Sequence, residues 1–247
     1  MSEFNYDLYI SLGDACSCSL ALRGSKLQFY SYPLDWIFGA DIVERAKYFG
    51  NCFDHFIDKE DLTPSFEVRS ASCRAYYNNF NKITFNHDFK NDVPFDEMYE
   101  KVLEKYKRRA KRVIEQIKNS KKVLFVYIQS PDSKKTLSED TLKETYNLLQ
   151  SYFPNVQTDI LYLSCERDIK INKMKKNQIS KNIRKLTLDY DMRNEQVPYA
   201  VNTKVLDSIF RHFSVSDKHL TEDNIKDRNS YKRKMFFRGK LFFNPSK

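Results

Sequence analysis

Val123-Leu124-Phe125-Val126-Tyr127-Ile128 is a run of six apolar residues with no charge or turn former inside it. A strand with one wet face alternates apolar and polar residues. An unbroken run reads as a strand buried on both faces, as in parallel sheets covered by helices. Its flanks agree. Before it, Phe95, Met98, Tyr99, Val102, Leu103, Tyr106, Ala110, Val113, Ile114 and Ile117 recur at three- and four-residue spacing, which predicts a long helix over 94–118. After it, 138–153 predicts a second helix with Ser138 as N-cap. Ile160-Leu161-Tyr162-Leu163 and Leu186-Thr187-Leu188 predict further strands, and Val201, Val205, Ile209 and Phe213 lie four apart on a last helix. Helices alternating with short buried strands predict an α/β architecture: layered, with a mostly parallel central sheet and flanking helices.

The first segment, Tyr6-Asp7-Leu8-Tyr9-Ile10-Ser11-Leu12-Gly13, alternates and predicts a strand that ends at glycine. Small polar residues then precede Leu20-Ala21-Leu22-Arg23, an N-terminal helix signature that places Cys16 in a strand-to-helix turn. Residues 25–90 read as an irregular insertion. In it, Gly24 and Gly39 bound a loop containing Ser31-Tyr32-Pro33-Leu34-Asp35-Trp36, a short helix spans 41–49, and short strands lie near Tyr76-Tyr77 and 82–85. No repeat or linker divides the chain, which gives a single α/β domain over 1–227 and a basic aromatic tail over 228–247.

The hydrophobic fraction, 41%, and the aromatic fraction, 15%, exclude a disordered chain of 247 residues. The net charge of +9 is unevenly spread: residues 1–99 sum to −6 and residues 100–247 to +15. No export signal and no apolar run of membrane-spanning length is read, so the five cysteines are expected as reduced thiols in a cytoplasmic protein.

Cys16 is the first candidate for chemistry. A thiol opening a helix feels the positive end of the helix dipole, which favours the nucleophilic thiolate. The bland alternative is a small buried core residue. His87, beside Asp88 in a polar stretch, is a candidate general base, or else a surface histidine next to a salt-bridged aspartate. The turn amides near Ala15–Ser17 are candidates to hold an oxyanion, and Gly13, Asp14, Ser17, Trp36 and Asp88 are candidate binding residues. Cys16-x-Cys18 lacks the gap of a zinc-binding pair, and no phosphate-binding glycine loop occurs, so neither metal nor cofactor is expected.

The combination Ser11-Leu12-Gly13-Asp14-Ala15-Cys16, then Ala21-Leu22-Arg23, then Ser31-Tyr32-Pro33-Leu34-Asp35-Trp36, and later His87-Asp88-Phe89, resembles a bacterial family of uncharacterised putative papain-like cysteine peptidases. The resemblance covers roughly the first 130 residues. It implies a cysteine-dependent hydrolase or acyl transferase with Cys16 as nucleophile and His87 as base. Asp35 and Trp36 match the P-x-D-W block: Trp36 reads as a core anchor, and Asp35 as a turn residue or the group that orients His87. Cys18 falls outside the blocks. No glutamine shortly before Cys16 and no tryptophan directly after it reproduce the better-known papain pattern.

The basic half supports other readings. Residues 101–122, 170–185 and 228–247 hold most of the positive charge, and the last of these interleaves cations with Phe236-Phe237 and Phe242-Phe243. Such a tail suits docking on the protein itself, an anionic membrane surface at the inner face, or a polyanion. A transferase or accessory factor of surface-polysaccharide assembly, acting on phosphate-bearing sugar or lipid substrates, is the alternative function. A non-enzymatic polyanion binder is the third, without a specific nucleic-acid motif.

Overall fold

The computed structural model describes residues 4–65, 72–129, 136–165, 175–188 and 203–231. In chain order the elements are β1 (Phe4–Tyr6), β2 (Leu8–Gly13), α1 (Cys16–Gly24), a 3-10 turn (Pro33–Trp36), β3 (Ile37–Gly39), α2 (Ile42–Gly50), a second 3-10 turn (Lys59–Asp61), β4 (Leu62–Pro64), β5 (Cys73–Asn78), β6 (Ile83–Lys90) and α3 (Phe95–Lys118). Then follow β7 (Lys122–Ile128), α4 (Glu139–Tyr152), β8 (Gln157–Cys165), β9 (Lys175–Ser180), β10 (Ile183–Leu188), α5 (Thr203–Phe210), β11 (Phe213–Val215) and a closing helix α6 over 222–231.

The protein is mixed α/β, with three sheets among the described residues instead of the one mostly parallel sheet expected. The five-stranded sheet runs β2-β7-β8-β10-β9. Its first four strands are parallel and β9 closes the edge antiparallel. β7 is buried almost throughout because it has cores on both sides. Phe125 and Tyr127 point into one cluster with Ile10, Ile160 and Tyr162, and Leu124, Val126 and Ile128 point into the other with Tyr9, Leu161 and Leu163. The first cluster is covered by α2, α3 and α4, the second by α1 and α5.

The expected irregular insertion is an ordered antiparallel sheet, β3-β6-β5-β4, packed into the first cluster through Ile37, Leu62, Tyr76, Ile83, Phe85 and Phe89. β3 and β4 are three residues each, too short for an alternation pattern to register. The third sheet pairs β1 with β11 in parallel.

No helix among the described residues is long and apolar enough to cross a membrane. The basic tail begins inside α6, where buried Arg228 donates from Nη1 to Val215 O at 2.8 Å and pairs with Asp217 at 2.6 Å. Residues 232–247, with both Phe-Phe pairs, lie outside the described residues, as do 170–174 of the second basic cluster.

Candidate active site

Cys16 is the first residue of α1, three positions beyond the end of β2. Ala15 caps the helix in extended conformation and offers no side-chain acceptor, so the first amides stay available. The backbone N–H groups of Cys16 and Ser17 donate toward the Cys16 sulfur. Burial pushes the thiol above its ordinary pKa and outweighs those two amides. The resting site therefore favours the protonated thiol, opposite to what the helix position alone suggests. Cys18, fully buried, donates from Sγ to Val126 O at 3.3 Å and is pushed up to about 12 by burial.

The turn ahead of Cys16 is built around Arg45. This arginine is fully buried. It donates from Nη1 to Leu12 O (2.8 Å), from Nη2 to Gly39 O (2.7 Å) and Asp14 O (3.2 Å), and from Nε to Gly39 O (3.1 Å). The guanidinium lies against Gly13, where a Cβ would sit 1.9 Å from Nη1. Gly13 also has φ +102°, a conformation other residues adopt only under strain. Asp14 accepts a hydrogen bond from Tyr127, whose hydroxyl is raised by burial first and by Asp14 second.

Ser19 ties this helix to the Pro33–Trp36 turn, its Oγ lying 3.1 Å from both Cys16 O and Asp35 O. Asp35 is completely buried. Its Oδ2 accepts from Gln28 Nε2 (2.7 Å), Tyr32 N (2.8 Å) and Arg23 Nη2 (3.1 Å). Burial nevertheless raises its pKa from the ordinary value, against the hydrogen bonds from Tyr32 and Gln28 and the charge of Arg23. Trp36, half-buried, carries Arg23 at 5.9 Å from its ring centroid and meets His87 edge-on at 6.2 Å.

His87 is exposed and lies in a β-bulge. Arg74 pairs with Phe89 and Tyr76 with Phe85, so Ala75 alone faces Asn86, His87 and Asp88. Bulges re-aim side chains, and here His87 turns out to solvent while Asp88 turns in. Asp88 accepts from Tyr106 Oη at 2.9 Å and pairs with Lys105, both on α3.

The structure thus brings Cys16, Asp35, Trp36 and His87 into one connected region, linked through Ser19 and the Pro33–Trp36 turn. Among the described residues no hydrogen bond joins Cys16 Sγ to His87, and none joins His87 to Asp35. No group of three or more potential metal ligands occurs among them either. A serine–histidine contact, Ser120 Oγ to His219 Nε2 at 2.9 Å, lies at the opposite end of β7. Ser120 donates its proton to Gln116 O at 2.8 Å, so the histidine is the donor there and not a base. Sequence reasoning missed the roles of Arg45, Arg23 and Gln28. Only Arg23 carried a signal, through the Ala21-Leu22-Arg23 block.

An α/β protein with a cysteine opening a helix after a parallel strand belongs to a class in which thiol nucleophiles are sought. Residues 7–168 match the family described as "Putative papain-like cysteine peptidase (DUF1796)", and the chain belongs to that family. An uncharacterised protein of Acanthamoeba polyphaga mimivirus is 28% identical over 176 residues, covering 65% of this chain and 78% of its own. No solved structure matches the chain.

Proposed function

We propose that the protein is a cysteine-dependent hydrolase or acyl transferase, with Cys16 as nucleophile and His87 as base. The observation that carries this reading is the place of Cys16: the first residue of α1, its sulfur under two backbone amides. In such a step the sulfur bonds to the acyl carbon, the thiol proton passes to the imidazole, and negative charge gathers on the carbonyl oxygen; the carbonyl then re-forms as the bond to the leaving group breaks and the imidazolium protonates that group, and water or an acceptor takes the acyl group from the sulfur. The amides at residues 15–17 are the donors for that oxygen, with Gly13 and Asp14 shaping the turn. Because the resting thiol is protonated, the base acts when substrate closes the gap between it and His87; catalytic hydrogen bonds are often long before substrate binds. Asp35 serves as a positioning residue that holds Trp36 against His87, and Asp88 anchors the bulge that presents the imidazole.

The test is acylation by p-nitrophenyl acetate, with the modified residues mapped by peptide mass spectrometry. Wild-type protein becomes acetylated at Cys16, and Cys16→Ser does not at that position. His87→Ala slows the acetylation about 10²-fold, while exposed Cys52 reacts equally in all three. Acetyl groups confined to Cys52 and Cys73 would sink the reading.

Alkylation by iodoacetamide reports the thiol directly. Its folded pKa is raised, so thiolate forms only as pH climbs through the raised value. The Cys16 rate is therefore expected to be still increasing beyond about pH 9, where a free thiol levels off. A plateau reached below neutral pH would instead mean a resting thiolate paired with a cation.

A further inference from the structure

Lys105, Arg109, Arg112 and Gln116 fall on one face of α3, turned toward the seam between the Pro33–Trp36 turn and β6. Three of the four have polar partners there. Lys105 pairs with Asp88, Arg112 reaches Ser31 O at 3.4 Å and stacks on Tyr30, and Gln116 accepts from Tyr32 Oη at 2.6 Å. Arg109, between them, makes no hydrogen bond and no ion pair among the described residues. Its Nη1 is buried without a partner among the described residues, and the guanidinium lies over the Tyr106 ring, 5.5 Å from the centroid. A guanidinium presents five donors and no acceptor. Leaving one of them buried and unmet is costly, and native structures rarely keep such a group without a use.

Arg109 is not isolated in this. Six buried side-chain atoms lack partners among the described residues, and two of them, Arg23 Nε and Arg109 Nη1, are donors of charged groups. The others are Asn78 Nδ2 and three acceptors, Gln28 Oε1, Asp35 Oδ1 and Asn86 Oδ1, which call for a donor and not for an anion. Asn86, Gln28 and Asp35 are each at most 4% exposed. The seam's own anions are already engaged, Asp35 with Arg23 and Asp88 with Lys105. Arg109 and Arg112, about one turn apart on this face, have no carboxylate partner among the described residues, which leaves a surplus of positive charge there.

We infer that Arg109 is the centre of a carboxylate-binding site, supported by Arg112, and that substrates carry an acidic group close to the bond attacked. The planar fork of arginine matches a carboxylate with two parallel hydrogen bonds. The assignment of a substrate rests on the reading of Cys16 and His87 given above; the binding site itself does not. An acidic side chain and a chain-terminal carboxylate offer the same chemistry.

Trp36 is the sole tryptophan of the chain, so its fluorescence reports this region directly. Three anionic probes distinguish the sources: N-acetylglutamate α-amide, N-acetylalanine and inorganic phosphate, with N-acetylglutamine amide as the neutral control, all at matched ionic strength. At least one carboxylate is expected to titrate Trp36 saturably in wild type and equally in Cys16→Ser. Arg109→Gln weakens that binding at least tenfold, Arg109→Lys by several-fold, and Arg108→Gln, an exposed neighbour, leaves it unchanged. The lysine variant keeps the charge and stem, and serves if the glutamine variant folds poorly. Equal titration of wild type and both Arg109 variants, or equal binding of the neutral probe, overturns the site. Tighter binding of phosphate than of either carboxylate overturns the choice of ligand. Carboxylate binding without Cys16 acetylation would remove the hydrolase reading and keep the site; acetylation without carboxylate binding would do the reverse.

Discussion

Arg45→Met is expected to lower the unfolding free energy by about 3–5 kcal/mol and to loosen the turn that carries Cys16. Methionine keeps the volume of the stem but withdraws every donor. Leu12 O, Asp14 O and Gly39 O then lose the guanidinium in a place where water cannot replace it. Each buried acceptor left unmet costs about 1–3 kcal/mol, and release from burying the charge offsets part of the total. Gly13→Ala attacks the same contact from the other side, through a Cβ 1.9 Å from Nη1 and a φ of +102°. The two changes share one contact, so the double variant should cost clearly less than the sum of the singles. Removing the guanidinium removes the clash and leaves only the strain of φ. Urea denaturation of the four proteins measures this cycle. Additive effects, or an Arg45→Met loss below about 1 kcal/mol, would mean the arginine does not hold the turn.

That such a residue went unseen in the sequence has a physical cause. Periodicity reports which residues leave water, and it located β7, α3 and α4 within a residue or two because their apolar positions are regular. Ser138 caps α4 as predicted, accepting from Thr141 N at 3.1 Å. The strand at the N-terminus was legible too, although Asp7 divides it: β1 pairs with β11 and β2 with β7. β9 carries three exposed residues and two lysines in six positions and gave no apolar signal. A buried arginine looks the same in sequence as a surface one. Arg45 sits in a short helix with Glu44 and Lys47, which do lie at the surface. Its partners are carbonyls, which any residue supplies, so no spacing of side chains announces it. Cys16 was legible as a strand-to-helix cysteine, but the sign of its pKa shift was not, because burial depends on what the rest of the chain stacks over it. Asp88 turns away from His87, as neighbouring side chains of an extended segment do, and onto α3.

Asp35→Ala is expected to cost about 3–5 kcal/mol, and Asp35→Asn no more than about 1 kcal/mol. The alanine variant strands three donors at once: Arg23 Nη2, Gln28 Nε2 and the Tyr32 amide. Asparagine can place its single carbonyl oxygen where Oδ2 now accepts all three, and its amide nitrogen falls where Oδ1 has no partner. The difference between the variants therefore separates acceptor geometry from charge. Their pH dependence separates them again. Burial raises the folded pKa of Asp35 above the unfolded value, despite Arg23. The folded protein then holds this proton more readily than the unfolded chain. The stabilisation it supplies is full below the unfolded value, near 4, and is lost as pH rises through the folded value. Wild type should consequently gain stability relative to Asp35→Asn when the pH is lowered from 7 to 5, in parallel denaturation curves. If wild type loses ground over that interval, the Arg23 guanidinium outweighs burial and Asp35 is a true ion-pair anchor. A gain identifies a carboxyl that the fold tolerates as an acceptor more than it uses as a charge. In that case the net positive charge along Arg23, Arg109 and Arg112 is larger than a count of formal charges suggests, and the seam beside His87 is more strongly disposed toward an anion.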